Sequence, residues 1–457
     1  MSDGDELRKF DRTPRTLKEL IDWLKENPGT DRWREDDWRE RCREDFPTAS
    51  SALIALSQKS VWPAERWRVA LQVWSEDALQ ELSWNGIGRV LRSAPDDLWH
   101  ELAHGIGWWL HAIAPVFDGN ESVFLEACRR LLAQDHDERL NDDDPIGQAI
   151  NHAIGLTTEA LLRWWYRKPL EDGQELPTHL SAAFSGLCDP TIDKFRHARV
   201  ILARNLISLF RVDPKWTRDR LLPLFDWEQS EDEALVVWKG FLWSPRMHRP
   251  LLETMKHVFL QTAERITHLG QYAESYVALL TFLAINPGDQ FSRAELIAAT
   301  NALPPDGLCR AVKTLVHALE SAGENRGDYW TTRIAPFLHN IWPKSREILT
   351  PALSESLALL CIAAGDAFPR ALSTLGSSLQ PLQQAHYVVY RLNESALCRK
   401  YPTEALELLN LIIDTTVKWP PSELRNCLEA ISSVKPKLTS TPSYKRLAEY
   451  LRQRGDR

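Results

Sequence analysis

No run of eighteen uncharged apolar residues occurs in the 457-residue sequence, so no segment reads as a membrane-spanning helix. Cysteine is sparse and unpatterned. The seven residues Cys42, Cys128, Cys188, Cys309, Cys361, Cys398 and Cys427 are odd in number, never form C-x-x-C, and sit in apolar stretches such as Leu359-Leu360-Cys361-Ile362. That excludes a disulfide framework as the organising principle and fits a reducing, cytoplasmic setting. The opening Met-Ser-Asp-Gly-Asp-Glu lacks an apolar stretch and predicts no signal peptide. Also missing are a glycine-rich phosphate loop, a nucleophile elbow and a dinucleotide fingerprint. Strand signals are nearly absent, and the best of them, Ala234 to Trp238, lies inside a longer helical pattern. Positive charge is in deficit, the net charge being −8, which argues against a general nucleic-acid binder without describing any local patch.

What the chain does have is helical punctuation. Leu17, Leu20, Ile21 and Leu24 form one apolar stripe, and Trp67, Ala70, Leu71 and Trp74 another. Between stripes stand start signals that pair a capping side chain with a proline: Asp144-Pro145, Asp213-Pro214, Ser244-Pro245 and Thr441-Pro442. The pattern predicts roughly twenty helices joined by short loops. The fold class is therefore all-α, an irregular solenoid of degenerate helix pairs like those of tetratricopeptide or HEAT repeats. The stretch from His268-Leu269-Gly270 through Ala278 to Asn286-Pro287-Gly288 carries tetratricopeptide-like punctuation, and Pro402 to Thr415 carries it more weakly. Composition divides the chain into a Trp-rich region 1–170, a central region 171–322 and a C-terminal region 323–457, with polar joints at Glu171 to Gln174 and Ala322 to Gly327.

The 19 tryptophans against 3 methionines read first as anchors that lock helix against helix, because each brings a large apolar area and one N–H in need of an acceptor. The sharper reading is that some form a recognition surface; Trp108-Trp109 and Trp164-Trp165 are the pairs whose direction decides it. His100-Glu101-Leu102-Ala103-His104 is a literal H-E-x-x-H. On one helix the two imidazoles lie a turn apart and can share a zinc ion, with Glu101 as general base and Glu121 or Glu126 as third ligand. The longer metzincin form fails, because Gly107 fits but Leu110 stands where a ligand belongs and His111 is one residue late. The continuation into Trp108-Trp109-Leu110 marks a packing helix, so zinc and metallopeptidase chemistry is the alternative and the expected assignment has no catalytic residue, metal or cofactor. The acidic run Asp135 to Asp144 lacks the glycine and terminal glutamate of a calcium loop and reads as a turn that caps the next helix. His152 and His197 read as lone structural histidines. Arg246-Met247-His248-Arg249 reads as a surface cluster, with anion binding at a helix start as the sharper possibility.

Several strings taken in order resemble a known family. They are Asp37-Trp38-Arg39 with Cys42-Arg43 and Asp45-Phe46, Trp62 to Trp67, Phe241 to Arg246, Trp342-Pro343-Lys344, and Ala367 to Leu372. From about residue 14 onward the chain resembles the helical domain of unknown function that follows a SIR2-like NAD-hydrolysing domain in many bacterial antiphage proteins. The SIR2-like part itself has no counterpart here, so the resemblance implies a role in defence and removes the activity. It implies a sensor or scaffold, as a separate subunit or a domain of something larger. Such a protein binds a protein partner, either an NAD-consuming or nuclease effector or a phage component, with nucleic acid involved only indirectly.

Overall fold

The computed structural model describes residues 10–29, 35–135 and 140–454. The acidic opening and the middle of the 135–144 run lie outside the described residues. The chain is an all-α helical-repeat fold, and the strand content of the described residues is one two-residue parallel pair, Phe10–Asp11 with Glu35–Asp36, plus a single bridge from Leu382 to Ile413. Two compact units divide it, one ending at Ser244 and the other beginning at Pro245. No single helix among the described residues is long and apolar enough to cross a membrane.

In the first unit a ladder of helices runs α1 (Ala64–Val73), α2 (Ala103–Ile113), α3 (Ala153–Trp165), α4 (Arg196–Arg204) and α5 (Glu231–Leu242), each packed on the next. The second unit has its own ladder: α6 (Ala273–Ile285), α7 (Pro305–Ser321), α8 (Pro351–Ala363), α9 (His386–Glu394) and α10 (Leu424–Val434). Other helices lie between the rungs. Contacts only between neighbouring rungs are the defining property of repeat architecture.

The repeat shows in polar ties rather than in residue identity. Side-chain hydrogen bonds recur at sequence separations of 33 to 37: Arg43 to Glu76, Arg130 to Asp96, Arg199 to Glu233 and Asp213 to the Leu176 amide in the first unit. The second unit repeats the spacing with Arg249 to the Asn286 carbonyl, Arg446 to the Asn410 carbonyl, and Tyr450 to the Val417 carbonyl. Around Asn286 and Asn340 the separation stretches to 47, through Arg333 and Arg293. Each bond ties one helix pair to its successor, and the ties mix arginine–carboxylate pairs with side-chain bonds to backbone carbonyls and amides.

The start signals mostly perform as expected. Asp144 accepts from the Gly147 amide at 3.0 Å, Asp213 from the Trp216 amide at 2.9 Å, and Thr441 opens Pro442–Arg454. Ser244-Pro245 does not open a helix. The next helix is Arg249–Thr254, capped by the His248 ring, whose Nδ1 accepts from the Leu251 amide at 3.3 Å. The tetratricopeptide-like turn before α6 depends on Gly270, whose φ of 57° and ψ of −123° suit a residue without Cβ. Close rung packing also requires small residues: a Cβ on Gly155 would meet the Ala149 carbonyl oxygen at 1.8 Å, and one on Gly240 the Val200 oxygen at 2.7 Å.

Tryptophan anchors the cores. Trp38 donates to the Arg66 carbonyl at 3.0 Å, Trp74 to the Cys42 carbonyl at 3.1 Å, and Trp238 to the Phe225 carbonyl at 3.0 Å. Asp45 caps Phe46–Ser57 through the Thr48 amide, and Phe46 meets Trp74 edge-on at 5.1 Å. All seven cysteines are buried and free. Burial raises the Cys42 thiol well above its usual value and pushes Cys188 up to about 12, which keeps both protonated and unreactive.

Candidate functional site

The helical period decides which side chains the first unit turns outward. On α2, Ile106, Trp109, Leu110 and Ile113 face the core, and successive residues sit 100° apart, so Trp108 and His111 share the opposite side. On α3 the outer stripe is Glu159, Arg163 and, just past the helix, Tyr166, spaced i, i+4, i+7. The end of α4 supplies Arg204 and Asn205, and the residue after α5 is Trp243.

These side chains form one continuous network across four consecutive rungs. The Trp108 and His111 rings lie 6.2 Å apart. Arg163 Nη1 reaches the His111 ring nitrogens at 3.0 and 3.2 Å and donates to the His111 carbonyl at 3.0 Å. Glu159 lies between His111, at 4.0 Å, and Arg204, whose Nη1 donates to it at 3.3 Å. The Arg204 guanidinium in turn stacks over the Trp243 ring at 4.2 Å, a cation–π contact. Tyr166 donates to Asn205 at 2.8 Å. Trp108 and Trp243, at the two ends, keep 42% and 45% of their surface exposed.

Burial, then the positive charges of Arg163 and Arg204, lower the His111 pKa to about 4, so the ring is neutral at pH 7. The unfolded chain, with a histidine near 6.5, binds the proton more readily than the folded one. This stabilisation is fully present above pH 6.5 and is lost as pH falls from there toward 4. Urea midpoints measured at pH 7 and pH 5 are expected to differ in the wild type, and the difference is expected to shrink in His111→Gln.

The second unit has a groove of its own. A cavity of about 820 Å³ is lined by Glu274, Ala278 and Phe282 of α6, by Lys313, His317 and Ser321 of α7, and by Asn325 and Tyr329 beyond it. Through Glu274, Lys313 and His317 it continues into a further 340 Å³ bordered by Leu359, Ile362, Tyr387 and Arg391. Stripes at i, i+4, i+8 line the walls, and Ala278 and Ala318 keep the floor low. Arg391 pairs with Glu320 at 2.6 Å and reaches the Tyr387 hydroxyl at 3.1 Å. Phe282, Tyr387 and Tyr390 are exposed.

The H-E-x-x-H string does not occupy one helix. The chain breaks at Leu102 (φ −99°, ψ 8°), so His100 lies in Asp96–Glu101 and His104 opens α2. Both imidazoles are exposed, Glu101 lies 3.7 Å from Arg68, and Glu126 is paired with Arg129 at 2.6 Å. Among the described residues no group of three or more His, Cys, Asp or Glu is arranged to hold a metal ion. His152 and His197 are not lone: their buried rings stack 3.7 Å apart, 8° from parallel, and His152 Nδ1 caps α3 by accepting from the Ile154 amide at 3.2 Å. Arg249 of the basic string bonds the Asn286 carbonyl. In the acidic run, Asp144 caps the next helix as expected, while Lys239 donates to the Asp142 carbonyl at 2.5 Å.

Of the paired tryptophans, Trp109, Trp164 and Trp165 point inward and Trp108 outward. The reading of the sequence missed His111, Glu159, Arg163, Arg204 and Trp243 as a group. The available signal was a polar stripe at helical spacing inside otherwise apolar helices.

No family model matches the chain, and no solved structure matches it. It is 27% identical over 131 residues to a Sinorhizobium fredii protein described only as uncharacterized protein y4cA, an alignment covering 28% of this chain and 11% of that protein. The chain thus spans about a ninth of the length of the curated relative it matches.

Proposed function

We propose that the protein is a non-catalytic helical-repeat interaction protein that holds a protein partner on the Trp108–Trp243 face. The observation that carries the reading is the exposure of two tryptophans at the ends of a guanidinium network spanning four successive rungs. Tryptophan, tyrosine and arginine are the residues enriched at binding hot spots. Following the resemblance, the partner is an effector subunit or a phage component, and the protein is the sensor or scaffold of a bacterial antiphage system.

The test is co-purification of the tagged full chain, expressed with its neighbouring genes, before and after phage infection, comparing wild type with Trp108→Ala/Trp243→Ala. A stoichiometric partner is expected to be retained by the wild type and weakened about 30-fold or more by the double substitution, the scale of one hot-spot loss. A partner held equally by both proteins would move the site elsewhere.

A further inference from the structure

We infer that the Trp108–Trp243 face takes an acidic segment of its protein partner, with carboxylates meeting Arg163 and Arg204 and an apolar side chain lying against a flanking tryptophan. The inference rests on the reading of this face as the binding surface and adds the chemistry of what it binds.

Charge and donor accounting carry it. Between the two tryptophans the network holds two guanidiniums and one carboxylate, an excess of positive charge on a chain whose net charge is −8. A guanidinium presents five N–H donors. Arg163 directs Nη1 at His111 and Arg204 directs Nη1 at Glu159, while the Nε and Nη2 groups of both have no hydrogen-bond partner among the described residues. Unused guanidinium donors beside exposed rings suit a planar carboxylate, which they bind in charge-assisted, bidentate fashion. Glu159 already shows a carboxylate accepted at this place, next to Arg204. A nucleic acid fits less well, because two cations separated by a glutamate do not track a phosphate backbone. A basic segment would meet the guanidiniums directly.

The experiment is a selection of random peptides displayed on phage against the full chain, followed by fluorescence anisotropy with an enriched, labelled peptide. Enriched sequences are expected to carry Asp or Glu next to an aromatic or aliphatic residue, with binding that weakens as salt rises. Arg163→Ala/Arg204→Ala is expected to lower affinity about tenfold or more. Glu159→Gln removes the competing negative charge and is expected to tighten the acidic peptide several-fold, an outcome that a purely structural role for the network does not produce. Thermal melting of each variant confirms that it is folded. Neutral or basic enriched sequences would overturn the inference, as would an acidic peptide insensitive to both the arginine and the Glu159 substitutions. So would preferential, salt-sensitive binding of a labelled dT20 oligonucleotide through the same arginines. If Trp108→Ala/Trp243→Ala abolishes binding of a non-acidic peptide, the inference falls and the binding face stands; if it changes no peptide's affinity, the face itself falls.

Discussion

Arg199→Ala is expected to destabilise the first unit by about 3–5 kcal/mol, the cost of breaking a buried ion pair from one side. Arg199 is fully buried and meets Glu233 through two bonds, Nε at 2.7 Å and Nη2 at 3.0 Å. Its Nη1 also donates to the carbonyls of Asp189 at 2.9 Å and Ile192 at 3.1 Å. Removing the guanidinium leaves a buried carboxylate with only the more distant Arg196, at 3.6 Å, and takes one of two donors from each carbonyl, which keep the Ile192 and Phe195 amides at 3.3 and 3.1 Å. The effect spreads because the pair joins α4 to α5 and fixes the turn that leads into α4. Arg199→Met with Glu233→Met is expected to recover part of the loss, since no charge of the pair then lies buried, while the Nη1 bonds to the two carbonyls stay lost. Urea unfolding followed by tryptophan fluorescence reads the difference. A wild-type midpoint in Arg199→Ala would mean that the α4–α5 junction is held by packing alone.

Trp238→Ala is expected to cost about 3–5 kcal/mol, whereas Trp419→Ala is expected to stay within about 0.5 kcal/mol. Trp238 is wholly buried on α5, packs edge-on against Phe225 at 5.1 Å and gives its indole N–H to the Phe225 carbonyl. Truncation opens a large cavity and orphans that carbonyl. Trp238→Phe keeps most of the apolar contact and loses the hydrogen bond, so it is expected to fall between the two. Trp419 is 60% exposed in the loop before Pro420, with Lys418 over its ring at 5.1 Å, and has little packing to lose. Unfolding midpoints of the three variants would show directly which of these tryptophans anchors the fold and which does not.

The contrast marks what the sequence could and could not reveal. Helices were legible because their signals are local: Asp144, Asp213 and Thr441 announce starts by side-chain chemistry that acts within one turn. The period of the repeat was not legible, because an arginine–glutamate pair, an aspartate on an amide and a tyrosine on a carbonyl do the same job in different rungs. The break at Leu102 has no glycine or proline to announce it, and Leu98, Trp99 and Ile106 are buried on either side of it. Ser244-Pro245 has the composition of a helix start but stands at the joint between the two units, and His248 takes the capping role instead.

The candidate face was half legible. Trp108 and Trp109 sit 100° apart on a helix and here one faces out, but adjacency alone does not decide it, since Trp164 and Trp165 are both buried. That Trp243 and Arg204 lie on the same face as Trp108 follows only from the stacking of four rungs, a long-range fact. The same holds for His152 and His197, which lie 45 positions apart in the sequence and meet ring on ring.

Oxidative footprinting of the full chain, alone and with the co-purified partner, tests the central claim most directly. Trp108 and Trp243 are expected to be oxidised in the free protein and protected together in the complex, with Trp419 reactive in both. A complex that forms with Trp108 and Trp243 still as reactive as in the free chain would contradict the account.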